Sequence, residues 1–242
     1  MINLIPFSKP DIKDSDIERV KKTIKSGWLT HGKNTYELEN EFKKFTKAKY
    51  AITVANCTAG LHLACLSLGL KKGDEVIVPA QTHTATAHAV EFTGAKAIFA
   101  DTDLLSGNIL MSEIKKKVSK KTKAIIVVHM GGYPCSLKEI SIFCKKKKLR
   151  LIEDCAHALG STFNNKHVGN YGICGVFSFY PTKQITSGEG GVLITNNKTL
   201  YNKIKTLKAV GIDNPPEKRK KQGYYDVKYL GFNYRMTDFQ AA

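Results

Sequence analysis

The chain of 242 residues is 42% hydrophobic and carries a formal charge of +17. Length and composition describe a globular protein of one large domain or two small ones, each of roughly 100 to 200 residues, and exclude a bilayer-spanning helix, since no apolar run approaches the roughly 20 residues that one needs. Met1 to Pro10 lacks the basic start and continuous apolar stretch of a secretion signal, and a cytoplasmic location is expected.

Asp14-Ser15-Asp16 opens the first expected helix by capping its free N–H groups. Gly27-Trp28-Leu29-Thr30-His31-Gly32 follows as an irregular segment, and a second helix is expected near Tyr36, where Leu38 and Phe42 stand four apart. From Tyr50 onward, short β-branched runs alternate with amphipathic stretches, the pattern of βαβ units around a mainly parallel sheet. The expected order is strand Ala51 to Val54, helix Thr58 to Leu70, strand Glu75 to Pro79, helix Thr84 to Thr93, strand Ala97 to Asp101 and helix Met111 to Val118. It continues with strand Ala124 to His129, helix Ser136 to Lys147, then strands Arg150 to Asp154, Gly175 to Phe179 and Gly191 to Thr195, and helix Leu200 to Val210. These seven strands suit a single sheet in an α/β protein. Gly231 to Ala242 stops as another helix begins, which suggests an incomplete chain whose remainder forms a further domain.

The positive charge raises the question of nucleic acid. The basic residues, however, fall in short clusters at Lys115 to Lys117, Lys120-Lys121, Lys145 to Lys148 and Lys218 to Lys221, without interleaved stacking aromatics. Solvated faces are the stronger reading, neither a nucleic-acid nor a membrane partner is expected, and the same field favours an anionic small substrate. Cys57, Cys65, Cys135, Cys144, Cys155 and Cys174 show no paired ligand spacing and read as buried free thiols, with no metal expected.

Several residues at expected strand ends carry chemistry. Lys183 lies just past the strand ending at Phe179, where α/β sites are built; a plain loop lysine is the alternative. Asp154 ends a buried strand and serves either a site or the N-cap of a segment from Ala156. Asn56-Cys57-Thr58-Ala59-Gly60 turns strand into helix, so its free N–H groups and the Thr58 hydroxyl face an anion, or Thr58 is an ordinary cap. Ser178 offers a second hydroxyl, and Ser187-Gly188-Glu189-Gly190-Gly191 permits a tight turn or close backbone approach. His83 and His157 stand near these ends, while His62, His88, His129 and His167 read as structural.

In this order the segments resemble the DegT/DnrJ/StrS family of sugar aminotransferases. The resemblance runs from Ile5-Pro6-Phe7-Ser8-Lys9-Pro10 through Gly27-Trp28-Leu29-Thr30 and Gly73 to Pro79. It is tightest in Glu153-Asp154-Cys155-Ala156-His157-Ala158 and from Phe177 to Gly191. It implies the large domain of the pyridoxal-phosphate transferase fold type I, a three-layer α/β/α sandwich, with residues 1–48 as a helical arm and active-site loop and 49–242 as the cofactor-binding domain. A C-terminal small domain found in the family is missing from this chain. The cofactor implied is pyridoxal 5'-phosphate. Lys183 matches the Schiff-base lysine, Asp154 the partner of the pyridine nitrogen, His83 the ring stacker and His157 the neighbour of the ring oxygen. Thr58, Ala59 and Ser178 match phosphate-binding positions, and Asn233 matches an asparagine that reaches the phosphate in a neighbouring subunit of a homodimer. The activity implied is transfer of an amino group from glutamate to a keto-sugar, nucleotide-linked, for cell-surface polysaccharide or a related glycan. The alternatives are a non-catalytic or regulatory cofactor-binding protein and an NAD-dependent α/β oxidoreductase.

Overall fold

The computed structural model describes residues 5–30, 32–213, 221 and 223–242. His31, Met1 to Leu4, and Lys218, Arg219 and Lys220 of the last basic cluster lie outside them. Two helices, α1 (Asp14–Lys25) and α2 (Lys33–Thr46), precede β1 (Tyr50–Val54), α3 (Cys57–Ser67), β2 (Glu75–Pro79), α4 (Thr84–Glu91), β3 (Lys96–Ala100) and α5 (Met111–Lys117). Then come β4 (Thr122–Val128), α6 (Leu137–Lys147), β5 (Arg150–Asp154), β6 (Thr162–Phe163), β7 (Lys166–His167), β8 (Cys174–Ser178), β9 (Gly191–Thr195), α7 (Lys198–Leu207) and α8 (Asp238–Ala241).

Seven strands form one sheet in the order β1-β9-β8-β5-β4-β2-β3. Only β9 runs against its neighbours; the others share a direction, so their C-terminal ends gather at one edge. The strand centres are mainly apolar because both sheet faces are covered. Alternation sends Ile126, Ile152 and Val176 to the face under α3, α4 and α7, and Ile125, Leu151 and Phe177 to the face under α2, α5 and α6. The result is the expected three-layer sandwich. Among the described residues no helix is long and apolar enough to cross a membrane.

The fit of α3 onto the sheet decides where the later chemistry sits. Nine of its residues are buried, and it can lie this close to β8 because Gly60 faces Val176, whose Cγ1 would stand 2.5 Å from an added Cβ. Asn56 caps the helix, its side chain accepting from the Ala59 N–H at 2.8 Å.

The structure departs from the expected elements in instructive places. The first helix is entered at Lys13, with Asp16 accepting the Lys13 N–H at 3.0 Å, so the acidic triplet forms the first turn rather than preceding it. The last long helix starts at Lys198 on an Asn197 cap and ends by Leu207, because Val210 and Gly211 take positive φ. The β6–β7 hairpin was not expected; its strands are two residues each, too short for a period, joined by Asn164-Asn165 at φ of 45° and 58°.

One long-range contact ties α2 to the segment around Asp238. The N-terminus of α2 has Gly32 at its cap, which offers no side chain. Asp238 supplies the acceptor instead: Oδ1 takes the Thr35 N–H at 2.9 Å, and Oδ2 takes the Asn34 N–H at 3.3 Å and its side-chain amide at 2.8 Å. Gly32 is required because a Cβ there would lie 2.3 Å from Asp238 Oδ2. Replacing Asp238 with Ala strands these buried donors and is expected to cost ~2 kcal/mol in urea unfolding, with Asp238→Asn recovering part.

Candidate active site

The strand β5 ends in two adjacent carboxylates on opposite faces of the sheet, and their surroundings assign them different work. Glu153 is fully buried and accepts from the amides of Gly169, Tyr171 and Gly172, each at 2.7 Å, and from His129 Nε2 at 3.2 Å. His129 Nδ1 accepts the Cys135 N–H at 3.2 Å, which fixes the proton on Nε2. Glu153, His129 and Cys155 lie within ligand range of one another, but these bonds occupy the groups, and Glu153 is a clamp for the 168–172 loop.

Asp154 is 5% exposed at the C-terminal edge. Its Oδ2 accepts the Thr86 hydroxyl at 2.8 Å and its Oδ1 the Ala156 N–H at 3.1 Å, with Cys57 Sγ 3.9 Å from Oδ1. It therefore caps a turn, and no helix follows it. Burial, reinforced by Asp154, pushes the Cys57 thiol well above its ordinary range.

Lys183 reaches the same place from the loop after β8, where its N–H closes a turn on the Tyr180 carbonyl at 2.9 Å. Burial lowers the pKa of its amine; nearby Asp154 and then Cys57 work in the opposite direction. Among the described residues the amine has no hydrogen-bond or ion-pair partner. His157 is held below the ordinary imidazole value by burial first and Lys183 second, and its buried Nδ1 has no partner. Gln184 donates its side-chain amide to the His157 carbonyl, tying the lysine loop to the turn after β5.

The anion-facing residues lie at the N-terminus of α3. Thr58 is not the cap, since Asn56 fills that place, and the Thr58 hydroxyl and the N–H groups of Cys57 and Thr58 find no acceptor among the described residues. The Ala59 N–H is engaged by Asn56. Ser178 accepts the Tyr180 N–H at 3.3 Å through Oγ, which leaves its own proton to give. His83 is exposed and caps α4, its Nδ1 accepting the Ala85 N–H at 3.2 Å, so its ring proton is on Nε2.

The structure thus gathers Lys183, Asp154, His157 and His83 around one sheet edge beside the α3 N-terminus and Ser178. Asn233 is apart from them: it is exposed and bridged to Ala209, although the next residue, Tyr234, accepts the Ala55 N–H at 2.9 Å just before the Asn56 cap. Sequence reasoning missed Thr82 and Thr86, whose spacing of four across the start of α4 was the available signal, and it missed Asn56 as the cap. A groove of about 1200 Å³ borders the lysine loop, lined by Ile12, Ile17 and Ile24 of the α1 region, Lys183, Ile185 and Phe239.

The fold, with a lysine, a buried carboxylate and a helix N-terminus at one sheet edge, defines an α/β enzyme site of the aminotransferase type. The chain belongs to the DegT/DnrJ/EryC1/StrS aminotransferase family, whose model matches residues 10–242, and the family is pyridoxal-phosphate dependent. It is similar to GDP-perosamine synthase of Escherichia coli O157:H7, with 41% identity over 239 residues, 98% of this chain and 64% of that protein. It superposes on an aminotransferase from Psychrobacter cryohalolentis with a TM-score of 0.92 at 35% identity, covering 98% of this chain and 62% of that one. The PMP form of Spr1654 from Streptococcus pneumoniae gives 0.93 at 29% identity, covering 98% and 65%, and that protein is also known in a PLP form. The chain spans less than two thirds of the length of these relatives.

Burial sets the sign of a pH effect. A lowered lysine pKa means that the Lys183 amine is neutral at a pH where solvent lysines are still charged, so competitive reductive methylation across pH should show it titrating below the ordinary lysine value. Since Asp154 works against the shift, Asp154→Asn should move that midpoint further down.

Proposed function

We propose that this chain carries the cofactor site of an aminotransferase that moves an amino group from glutamate to a nucleotide-linked keto-sugar, in the cytoplasm, for a cell-surface polysaccharide or related glycan. One observation carries the reading: among the described residues, a buried unpaired imidazole nitrogen, an unpaired amine and free hydroxyl and amide donors converge at the C-terminal edge of the sheet. An unpaired buried imidazole nitrogen at His157 is costly, about 1–3 kcal/mol, and it sits with an unpaired lysine amine and with free donors at Thr58 and Ser178. Pyridoxal phosphate matches this set, with an aldehyde for the amine, a ring oxygen for His157 and a phosphate for the α3 N-terminus.

On this reading Lys183 holds the cofactor covalently, and Asp154 pairs with the ring nitrogen and keeps it protonated. His83 covers the ring face, and His157, kept neutral by burial, meets the ring oxygen. The Thr58 hydroxyl and amide and the Ser178 hydroxyl bind phosphate at the position that includes Ala59, whose own amide is committed to the cap. Bound there, pyridoxal phosphate supplies an electron sink for the pair left when the donor's α-proton departs. With the group in place, the Lys183 amine would take the donor's α-proton on Nζ and deliver it to the carbon on the other side of the shared nitrogen, and its lowered pKa favours the neutral amine that this needs. Residues 1–48 serve as arm and active-site loop and 49–242 as the cofactor domain. Asn233, exposed on its own subunit, reaches the phosphate of a partner in a homodimer.

The chemistry of the relatives supports the sugar: one named for GDP-perosamine matches nearly the whole of this chain. Glutamate should convert the wild-type cofactor in a single turnover, and supplied nucleotide-linked keto-sugars should then accept the amine. Lys183→Ala should abolish both turnover and the visible absorbance of the bound cofactor; an active, spectrally unchanged variant would falsify the proposal. For the shared site, mixing inactive Lys183→Ala with Asn233→Ala should restore activity, because each mixed dimer has one site with neither defect.

A further inference from the structure

One of the three protein hydrogen-bond donors to Asp154 is itself the end of a chain of hydroxyls. Thr86 is fully buried on α4, and its Oγ1 lies 2.8 Å from Asp154 Oδ2. The Thr82 hydroxyl lies 2.8 Å from the same Thr86 oxygen, a contact in which either could donate. The carboxylate decides the direction. An ionised carboxylate only accepts and a hydroxyl has a single proton, so Thr86 gives its proton to Asp154 and accepts the proton of Thr82. The three groups then form a polarised line in which each bond strengthens the next.

The opposite oxygen is held as well, by the Ala156 N–H at 3.1 Å with Cys57 Sγ at 3.9 Å. A carboxylate gripped at both oxygens cannot turn about its Cβ–Cγ bond without stranding a buried donor, so the direction of its remaining lone pairs is fixed before any ligand arrives. We propose that Thr86, oriented by Thr82, is a positioning residue that aims Asp154 at the ring nitrogen of the cofactor. The proposal rests on the role given above to Asp154. It concerns residues that no family motif had singled out in the sequence.

Two ligands separate aim from general stability: pyridoxal phosphate and its 1-deaza analogue, in which carbon replaces the ring nitrogen. Their dissociation constants are measured by titration of the apoprotein. Wild type should prefer pyridoxal phosphate. Thr86→Val should cut that preference by about tenfold while changing the analogue's affinity by no more than about twofold, and Thr86→Ser should restore it. An equal loss for both ligands would mean that Thr86 only supports the fold, and an unchanged preference would mean that it does not act on the ring nitrogen; either overturns the proposal. If Thr86→Val does not fold, Thr82→Val, at a half-buried position before the helix, decides the matter by a smaller loss of preference or none. Failure of the underlying reading looks different: wild type itself would not bind pyridoxal phosphate, or would bind both ligands equally.

Discussion

A carboxylate at the end of a buried strand must find donors, and two such carboxylates in succession must find them on opposite sides of the sheet. This constraint organises the molecule around the end of β5. Glu153 collects three loop amides and a histidine and so shapes the 168–172 loop on one face. Asp154 takes one hydroxyl, one amide and a long thiol bond, and keeps acceptor capacity for a ligand on the other. Fully satisfied, a buried anion is architecture; partly satisfied, it is a place where something else binds.

The rest of the site is arranged about that remaining capacity. Strand order puts β5 between β4 and β8, so the turn after β8 delivers Lys183 beside Asp154, and the tight seat of α3 on β8 brings the helix N-terminus to the same edge. The single reversed strand, β9, lies between β8 and β1. It closes the sheet without a crossover helix and leaves that edge open to the lysine loop. The electrostatics follow from burial: the desolvation that lowers the amine and the imidazole also raises the thiol of Cys57. An amine and an imidazole held below their ordinary values and a thiol held above its own surround one carboxylate.

Much of this was legible in the sequence because it depends on local pattern. Runs such as Ala124 to Val128 are apolar at every position, which only a strand covered on both faces requires, and the order of segments carried the family resemblance. What was not legible depends on contacts across the chain. The sequence offered only Thr58 as a cap, and it takes the path from β1 to show that Asn56 receives the Ala59 amide. Thr86 looked like one small residue in an alanine-rich helix until the end of β5 was placed 2.8 Å from it. The β6–β7 hairpin had only its asparagine pair as a signal, and the early end of α7 is set by a left-handed valine that no propensity favours.

The cap that Asp238 places on α2 has a consequence for the order of synthesis. A ribosome releases Lys33 to Thr46 long before residue 238, so the helix emerges with its leading amides unmet and with β1 still lacking its sheet neighbour β9. The first parts of the chain to be made are therefore among the last to be completed, and the nascent protein carries an unfinished amino-terminal segment until more than 200 residues further on have appeared. Vectorial folding cannot finish α2 from its own sequence; it is completed together with the segment around residue 238.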